Sequence, residues 1–372
     1  MSADEFRAWF SLVYTPGLSR QAARGLLQAF GSPEAVLGAS QARWAAVAGR
    51  EAAQALATPD PIALQRLTHA QAWLAGQPGR QVVTLGDAGY PEALLHCGDP
   101  PLMFFLEGRA EFLQRPSVAV VGSRQATAQG LSDARQFAHV LSLAGVTVVS
   151  GLAAGIDGAA HDGALGGSGS TVAVVGTGLD IVYPRRHASL MRRIVEAGAV
   201  ISEYAPGTPV LAHHFPHRNR LIAGLTRATL VVEATLKSGS LITARLAAES
   251  GREVFAVPGS IHCAQASGCH ALIRQGAMLV ESAQEVLQAL NLGDSIRAGP
   301  PAASTHPPAQ GGMTHLQAQL LQALGYAPTS LDTLSGRTGW PAPELSARLL
   351  DLELQGLVAR LPGGLYQRQQ AA

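Results

Sequence analysis

The sequence predicts an α/β fold: a doubly wound, mostly parallel sheet, preceded by a helical domain and followed by a small winged-helix domain. Three observations predict it. Seven short apolar runs alternate with stretches long enough for crossover helices. Those runs are apolar throughout rather than alternating, as expected of strands covered on both faces. The 41 glycines supply the many tight turns that such a chain needs.

In chain order, residues 1–80 read as helical, rich in Ala, Leu, Gln and Arg. Pro16-Gly17 followed by an amphipathic run has the form of a helical hairpin whose amides can meet a DNA phosphate. A plain helical bundle capping the core is the favoured expectation. Residues 81–116 are expected to add edge elements. The strand runs are 118–121, 146–149, 172–175, 199–201, 230–232, 254–257 and 278–280. A Pro/Gly-rich stretch at 293–312, with paired prolines, reads as a linker. Beyond it, in 313–372, three short helices (316–324, 331–338, 343–356) precede two strands (358–360, 364–367), the pattern of a winged helix. The expected division is therefore 1–80, 81–292, 293–312 and 313–372.

Composition narrows the function. Of 372 residues, 47% are hydrophobic and 14% charged, so the chain can bury a sizeable core. No apolar stretch approaches the roughly 20 residues needed to span a bilayer, so no membrane association is expected. Asp4 and Glu5 near the start do not fit a signal peptide. Three cysteines, Cys97, Cys263 and Cys269, argue for a reducing cytoplasm rather than a disulfide framework. Bases and acids nearly cancel, 27 against 26, and residues 313–372 hold four of each. Any nucleic-acid contact must come from a few placed groups rather than a polycationic face. Lys237 is the only lysine.

Four motifs carry candidate chemistry. Gly122-Ser123-Arg124 ends a strand run, where a following helix start can offer amides and a positive dipole to a phosphate. Arg124 can grip that phosphate with two hydrogen bonds. The next glycine is Gly130, so the GxGxxG dinucleotide fingerprint is missing and no nicotinamide cofactor is implied. Ser150-Gly151, opening the run Ser-Gly-Leu-Ala-Ala-Gly-Ile-Asp, offers a second amide cradle, and both turns are expected to line one groove. Phe215, Arg218, Asn219 and Arg220 lie at a predicted helix start, with arginines for phosphates and an aromatic ring for a base. A core Phe and a salt-bridged Arg are the plainer alternative. Lys237, Ser238, Gly239 and Ser240 again put a cation, hydroxyls and amides at a helix start. They lack Walker A order, which argues against nucleotide hydrolysis by that mechanism.

Two clusters carry less. His262, Cys263, Cys269 and His270 lack zinc-finger spacing, so no metal is expected. His213, His214 and His217 have no paired carboxylate at helical spacing and read as a solvated entry to the Phe215–Arg220 segment.

Taken in order, these motifs resemble the DprA family (Smf, DNA-processing protein A). The matching stretches are 118–124, 150–161, 176–184 (Gly-Thr-Gly-Leu-Asp-Ile-Val-Tyr-Pro), 202–206, 215–225, 232–244, 251–259 and 272–277. The resemblance implies an extended Rossmann-like core, an N-terminal SAM-like domain and a C-terminal winged helix. It also implies cooperative binding of single-stranded DNA, a homodimer formed through the core, and loading of RecA during natural transformation. By position, Arg124, Ser150, Gly151, Arg218, Arg220 and Lys237 would line the DNA pocket. No catalytic residue is implied.

Two other functions are weighed. A Rossmann-like nucleotide-processing hydrolase resembling the phosphoribohydrolase family would carry that family's Pro-Gly-Gly-x-Gly-Thr segment and following Glu, but Pro258-Gly259 leads to Ser260-Ile261. Glu203 and Glu233 are the available acids, without a visible nucleophile–base pair. A duplex-reading regulator would use residues 343–356 as its recognition helix, which holds one Arg against Glu344, Asp351 and Glu353.

Overall fold

The computed structural model describes residues 1–58, 60–292, 315–325 and 328–369. The expected linker, 293–312, lies outside the described residues. Nine strands form a mostly parallel sheet: β1 Arg80–Thr84, β2 Met103–Gly108, β3 Ser117–Val121, β4 Thr147–Ser150, β5 Thr171–Val174, β6 Ala199–Ser202, β7 Ala228–Val231, β8 Glu253–Ala256 and β9 Met278–Leu279. Their order is β1-β2-β6-β5-β4-β3-β7-β8-β9. All seven apolar runs became strands, with ends displaced by a residue or two. The chain divides into two compact units, one of Met1–Gln114 with Ala173–Leu225 and one of Arg115–Val172 with Thr226–Ala372.

In the first unit, six helices from Ala3–Tyr14 to Pro61–Gly76 precede β1. Ser2 and Glu5 start the first of them with reciprocal caps: each side chain meets the other's backbone N–H. Phe6 on that helix and Trp73 on the last pack edge-on against Phe105 of β2, with ring centroids 6.4 and 5.9 Å apart. The N-terminal helices thus cover the sheet, as the plainer expectation has it. β2 pairs antiparallel with both β1 and β6, and Phe104, Phe105 and Leu106 are fully buried. That is why 81–116 reads as an edge addition rather than as alternating strands.

In the second unit, β3 pairs parallel with β4 and β7, β7 with β8, and β8 with β9. β4 follows β3 on one side, and β7 lies on the other. The winding therefore reverses between β3 and β7, and a crevice opens at their carboxyl ends. Helix Ala128–Leu143 packs over this sheet with Phe137, Ala138 and Leu141 in a core of Val118, Val120, Val148 and Leu230. The tail has helices His315–Leu324, Leu331–Thr338 and Ala342–Leu354 around a leucine core. Three strands complete it: β10 Thr329–Ser330, β11 Val358–Leu361 and β12 Leu365–Arg368, in the order β10-β12-β11. The two-residue β10 was not legible in the sequence.

Candidate nucleic-acid interface

The crevice at the β3–β7 reversal carries two of the four motifs. β3 ends at Val121 and leads to Gly122. A Cβ there would stand 2.6 Å from Ile156 and 2.7 Å from the Glu233 carbonyl, so only glycine fits. Ser123 is buried: its N–H donates to the Glu233 carbonyl (2.7 Å) and its hydroxyl to Gln265 (3.0 Å). Arg124 follows at the exposed crest of the loop. The helix does not begin here. Its N-cap is Thr127, and residues 122–127 form a loop.

The expected free amides at this helix start are a correction. Glu233, from the loop after β7, accepts from the Thr127 N–H (2.9 Å) and hydroxyl (2.6 Å), and the Thr127 hydroxyl accepts from the Gly130 N–H (3.0 Å). Burial pushes the Glu233 carboxyl upward, against the two Thr127 hydrogen bonds. An acid of the chain itself already occupies the dipole end.

The second turn is corrected in the same way. Ser150 is fully buried, and its hydroxyl donates to the Val120 carbonyl (2.7 Å). The N–H groups of Gly151 (3.2 Å) and Ala153 (3.4 Å) donate to Asp157, so this cradle too holds an internal carboxylate. Leu152, at φ 56°, donates to His161 Nε2 (3.2 Å). The Thr171 hydroxyl donates to the Val148 carbonyl and lies 2.7 Å from His161 Nδ1. Nδ1 is therefore the protonated ring nitrogen, and Nε2 accepts. Gly155 (φ 82°) passes so close to the first loop that a Cβ would lie 2.2 Å from the Ser123 carbonyl oxygen, and the Ile156 N–H donates to that same oxygen (3.1 Å). The two turns brace each other.

After β7, Lys237 is exposed, Ser238 and Ser240 share a 2.7 Å hydroxyl contact, and the exposed Gly239 precedes helix Ser240–Glu249. The second unit thus presents Arg124 and Lys237 on the loops that leave β3 and β7. Ser123, Ser150 and the Gly151 amide are internal ties that shape those loops.

In the first unit, the Phe215–Arg220 segment lies on helix His214–Leu225. Arg218 is 4% exposed, its guanidinium donates to the Val174 carbonyl, and its Nε meets Asn219 at 3.3 Å. Arg220 Nη2 lies 2.6 Å from both Glu203 oxygens, and its Nε is 3.5 Å from Asp99. Arg20 joins both acids (2.9 Å to Asp99, 3.0 Å to Glu203), and Arg24 meets Asp99 at 2.5 Å. Both arginines expected to face DNA are turned inward: the Val174 carbonyl holds Arg218, and Asp99 and Glu203 draw Arg220 into an ion network. Burial alone would raise the Asp99 carboxyl, but the Arg24 hydrogen bond and the neighbouring arginines hold it below its ordinary range. His217, in contact with Arg20, is lowered to about 4 by burial and then by Arg20 and Arg220. His214 stacks on Tyr204 at 3.8 Å and is buried and His217 is half-buried, so of the three histidines only His213 is exposed to solvent.

Phe215 is half-buried against Tyr183, with ring centroids 5.5 Å apart, and Tyr183 itself is 42% exposed. Arg185 and Arg186 follow Tyr183 on the surface in the turn Arg185–His187. Sequence reasoning passed over these three, although Tyr-Pro-Arg-Arg was a visible signal. Cys269 is buried under β7 with its thiol pushed up to about 12, and His270 turns to the Gly259 carbonyl. Among the described residues no three His, Cys, Asp or Glu side chains are grouped to hold a metal.

The model of the family described as DNA recombination-mediator protein A matches residues 81–291, and that of the DprA winged helix domain matches 297–364. The chain belongs to the DNA recombination-mediator protein A family. Protein Smf of Escherichia coli K12 is 43% identical over 300 residues, covering 80% of each chain. The DNA processing protein DprA of Streptococcus pneumoniae R6 is 48% identical over 201 residues, covering 54% of this chain and 71% of the relative. Among solved structures, the S. pneumoniae DprA superposes with TM-score 0.64 at 37% identity, covering 77% of this chain and 98% of that one. The Helicobacter pylori DNA processing protein A superposes with TM-score 0.52 at 29% identity, covering 57% and 96%. The latter structure is described as showing a single-stranded DNA binding mode of that protein. The extended Rossmann-like core and winged helix implied by the resemblance are thereby established, as is the chain's place among DNA-processing recombination mediators. No helix among the described residues is long and apolar enough to cross a membrane.

Proposed function

We infer that the chain binds single-stranded DNA without regard to sequence, as a binding protein rather than an enzyme, and loads RecA on it. The observation that carries the binding is the pair of exposed cations, Arg124 and Lys237, on the loops flanking the β3–β7 reversal. In doubly wound sheets ligands gather at that point. Phosphate contacts of this kind position a strand without reading its bases. Glu233, Asp157 and His161 tie these loops to the neighbouring strands and helix, and both cations project from them. The first unit contributes its own contacts: Tyr183 on Phe215 offers a face on which any base can stack, and Arg185 and Arg186 offer charge.

The two acids that a hydrolase reading would use are engaged elsewhere, Glu203 with Arg20 and Arg220, Glu233 with Thr127. That favours binding over catalysis. The single-strand reading draws support from the H. pylori relative. Loading of RecA and a role in natural transformation, in the cytoplasm, rest on the family resemblance. A homodimer through the core fits the edge strand β9, whose Met278 and Leu279 are 49% and 44% exposed. Residues 81–292 are the binding core on this reading, with 1–80 covering it.

The test is a competition between a labelled poly-dT oligonucleotide and a duplex of the same length for the full chain, followed by anisotropy, with light scattering for the oligomer. Preference for the single strand by a dimer supports the reading. Equal binding of duplex would reopen the regulator alternative.

A further inference from the structure

We propose that the winged-helix tail docks on the core through its wing as an intramolecular latch, released when the 122–127 loop takes up single-stranded nucleic acid. The release step rests on the reading of that loop given above.

The pairing of β11 with β12 sets two faces. Val358 and Tyr366 look into the tail's own leucine core, so Gln367 and its partner Ala359 look outward. A glutamine on the outer face of a wing is normally solvated, yet Gln367 is only 3% exposed. What covers it is the first turn of helix Ala128–Leu143, where the Gln129 N–H donates to Gln367 Oε1 at 3.5 Å. That amide belongs to the first turn, whose donors have no acceptor within the helix. The Thr127 hydroxyl serves Gly130, and the tail serves Gln129. A cavity of about 240 Å³ lies between the two parts, lined by Pro328 and Gln367 of the tail and by Thr127, Gln129, Glu233 and Pro258 of the core.

The contact has the character of one that opens. It is polar, its hydrogen bond is long, it borders a void, and Gln129 Oε1 is buried with no hydrogen-bond partner among the described residues. Its position gives it leverage. Gln129 stands two residues beyond Thr127, which closes the loop bearing Arg124 and is tied to Glu233. A loop that rearranges around a bound strand moves the turn on which the wing sits. The tail's balance of four bases against four acids suits a polar intramolecular partner better than a polyanion.

Hydrogen exchange by mass spectrometry on the full chain tests this, with wild type, Gln367→Ala, and Pro328→Gly on the far side of the cavity. Both variants are expected to speed exchange of amides 128–131 several-fold while the tail's leucine helices stay protected. Adding poly-dT to wild type is expected to speed exchange at 365–369. Gln367→Ala is expected to bind poly-dT about fivefold tighter, the factor that one modest hydrogen bond supplies. Unchanged exchange at 128–131 in both variants overturns the docking. Docking that persists, with no response of the wing to poly-dT and no gain in affinity, makes the contact static and overturns the latch. A wild type that does not bind poly-dT at all sinks the reading of the 122–127 loop and the release step with it, while amides 128–131 still decide the docking.

Discussion

Replacing Arg220 with methionine separates a structural arginine from a DNA-contacting one. The side chain is 10% exposed and its Glu203 partner 7%, with Nη2 2.6 Å from the carboxylate. Removing one member of a buried pair strands the other, at a cost of about 3–5 kcal/mol. Here Glu203 keeps Arg20 at 3.0 Å, and Asp99 keeps Arg20 and Arg24. The loss should therefore fall at the low end, about 3 kcal/mol, which lowers the melting temperature by roughly 5–10 °C. The double variant Arg220→Met with Glu203→Leu should regain most of it, because an apolar pair leaves no stranded charge. Urea and thermal melts give the stability, and anisotropy on poly-dT over a salt series gives the number of phosphate contacts. The salt slope should stay that of wild type. Native stability combined with a slope shallower by about 0.7, one single-strand phosphate contact, would refute the reasoning and return Arg220 to the DNA surface.

Other outcomes follow from the same geometry. His217 is lowered to about 4 in the fold, against an ordinary value near 6.5 when unfolded. Between those values the unfolded chain holds the extra proton, so stability is present above about pH 6.5 and is lost as pH falls toward about 4. Because the ring is 34% exposed, solvent screening limits the effect to about 1–2 kcal/mol, and His217→Gln should flatten the urea midpoint between pH 7 and 5. Gly155→Ala forces a Cβ to within 2.2 Å of the Ser123 carbonyl at φ 82°. It should cost about 2 kcal/mol or more in a melt and weaken oligonucleotide binding by displacing the loop that carries Arg124. Tyr183→Ala should weaken poly-dT binding by about 1–2 kcal/mol with little change in melting temperature, and an unchanged affinity would remove Tyr183 from the strand's path.

The sheet was legible because buried parallel strands carry continuous apolar runs, and β3, β4, β7 and β8 fall where Val-rich runs stand in the sequence. The antiparallel edge was less so. Met-Phe-Phe-Leu in β2 lies under the N-terminal helices through Phe6 and Trp73, and that cover is a tertiary fact. The candidate site was legible in its loops and misread in its groups. Gly122, Gly151 and Gly155 look like phosphate turns, and the close approaches at Gly122 and Gly155 are real. What fills the turns is Glu233, 106 residues from Thr127, and Asp157. Local pattern cannot show Glu233 arriving from another strand, whereas Asp157 closes the same run as Ser150-Gly151 and stood within reach of the sequence. Arg218 and Arg220 were misjudged for the same reason, since Val174, Glu203 and Asp99 meet them only in the fold. Arg124 and Lys237 stand exposed on the loops after β3 and β7, where the sequence puts them, and their contact with DNA is the proposal the salt series tests.

The salt dependence of poly-dT binding for wild type, Arg124→Ala, Lys237→Ala and the double variant decides whether the strand lies at the β3–β7 crevice. Each single variant is expected to lower the slope by about 0.7 and the double by about twice that, with melting temperatures close to wild type. Wild-type affinity and slope in the double variant would contradict this and take the strand away from the β3–β7 crevice.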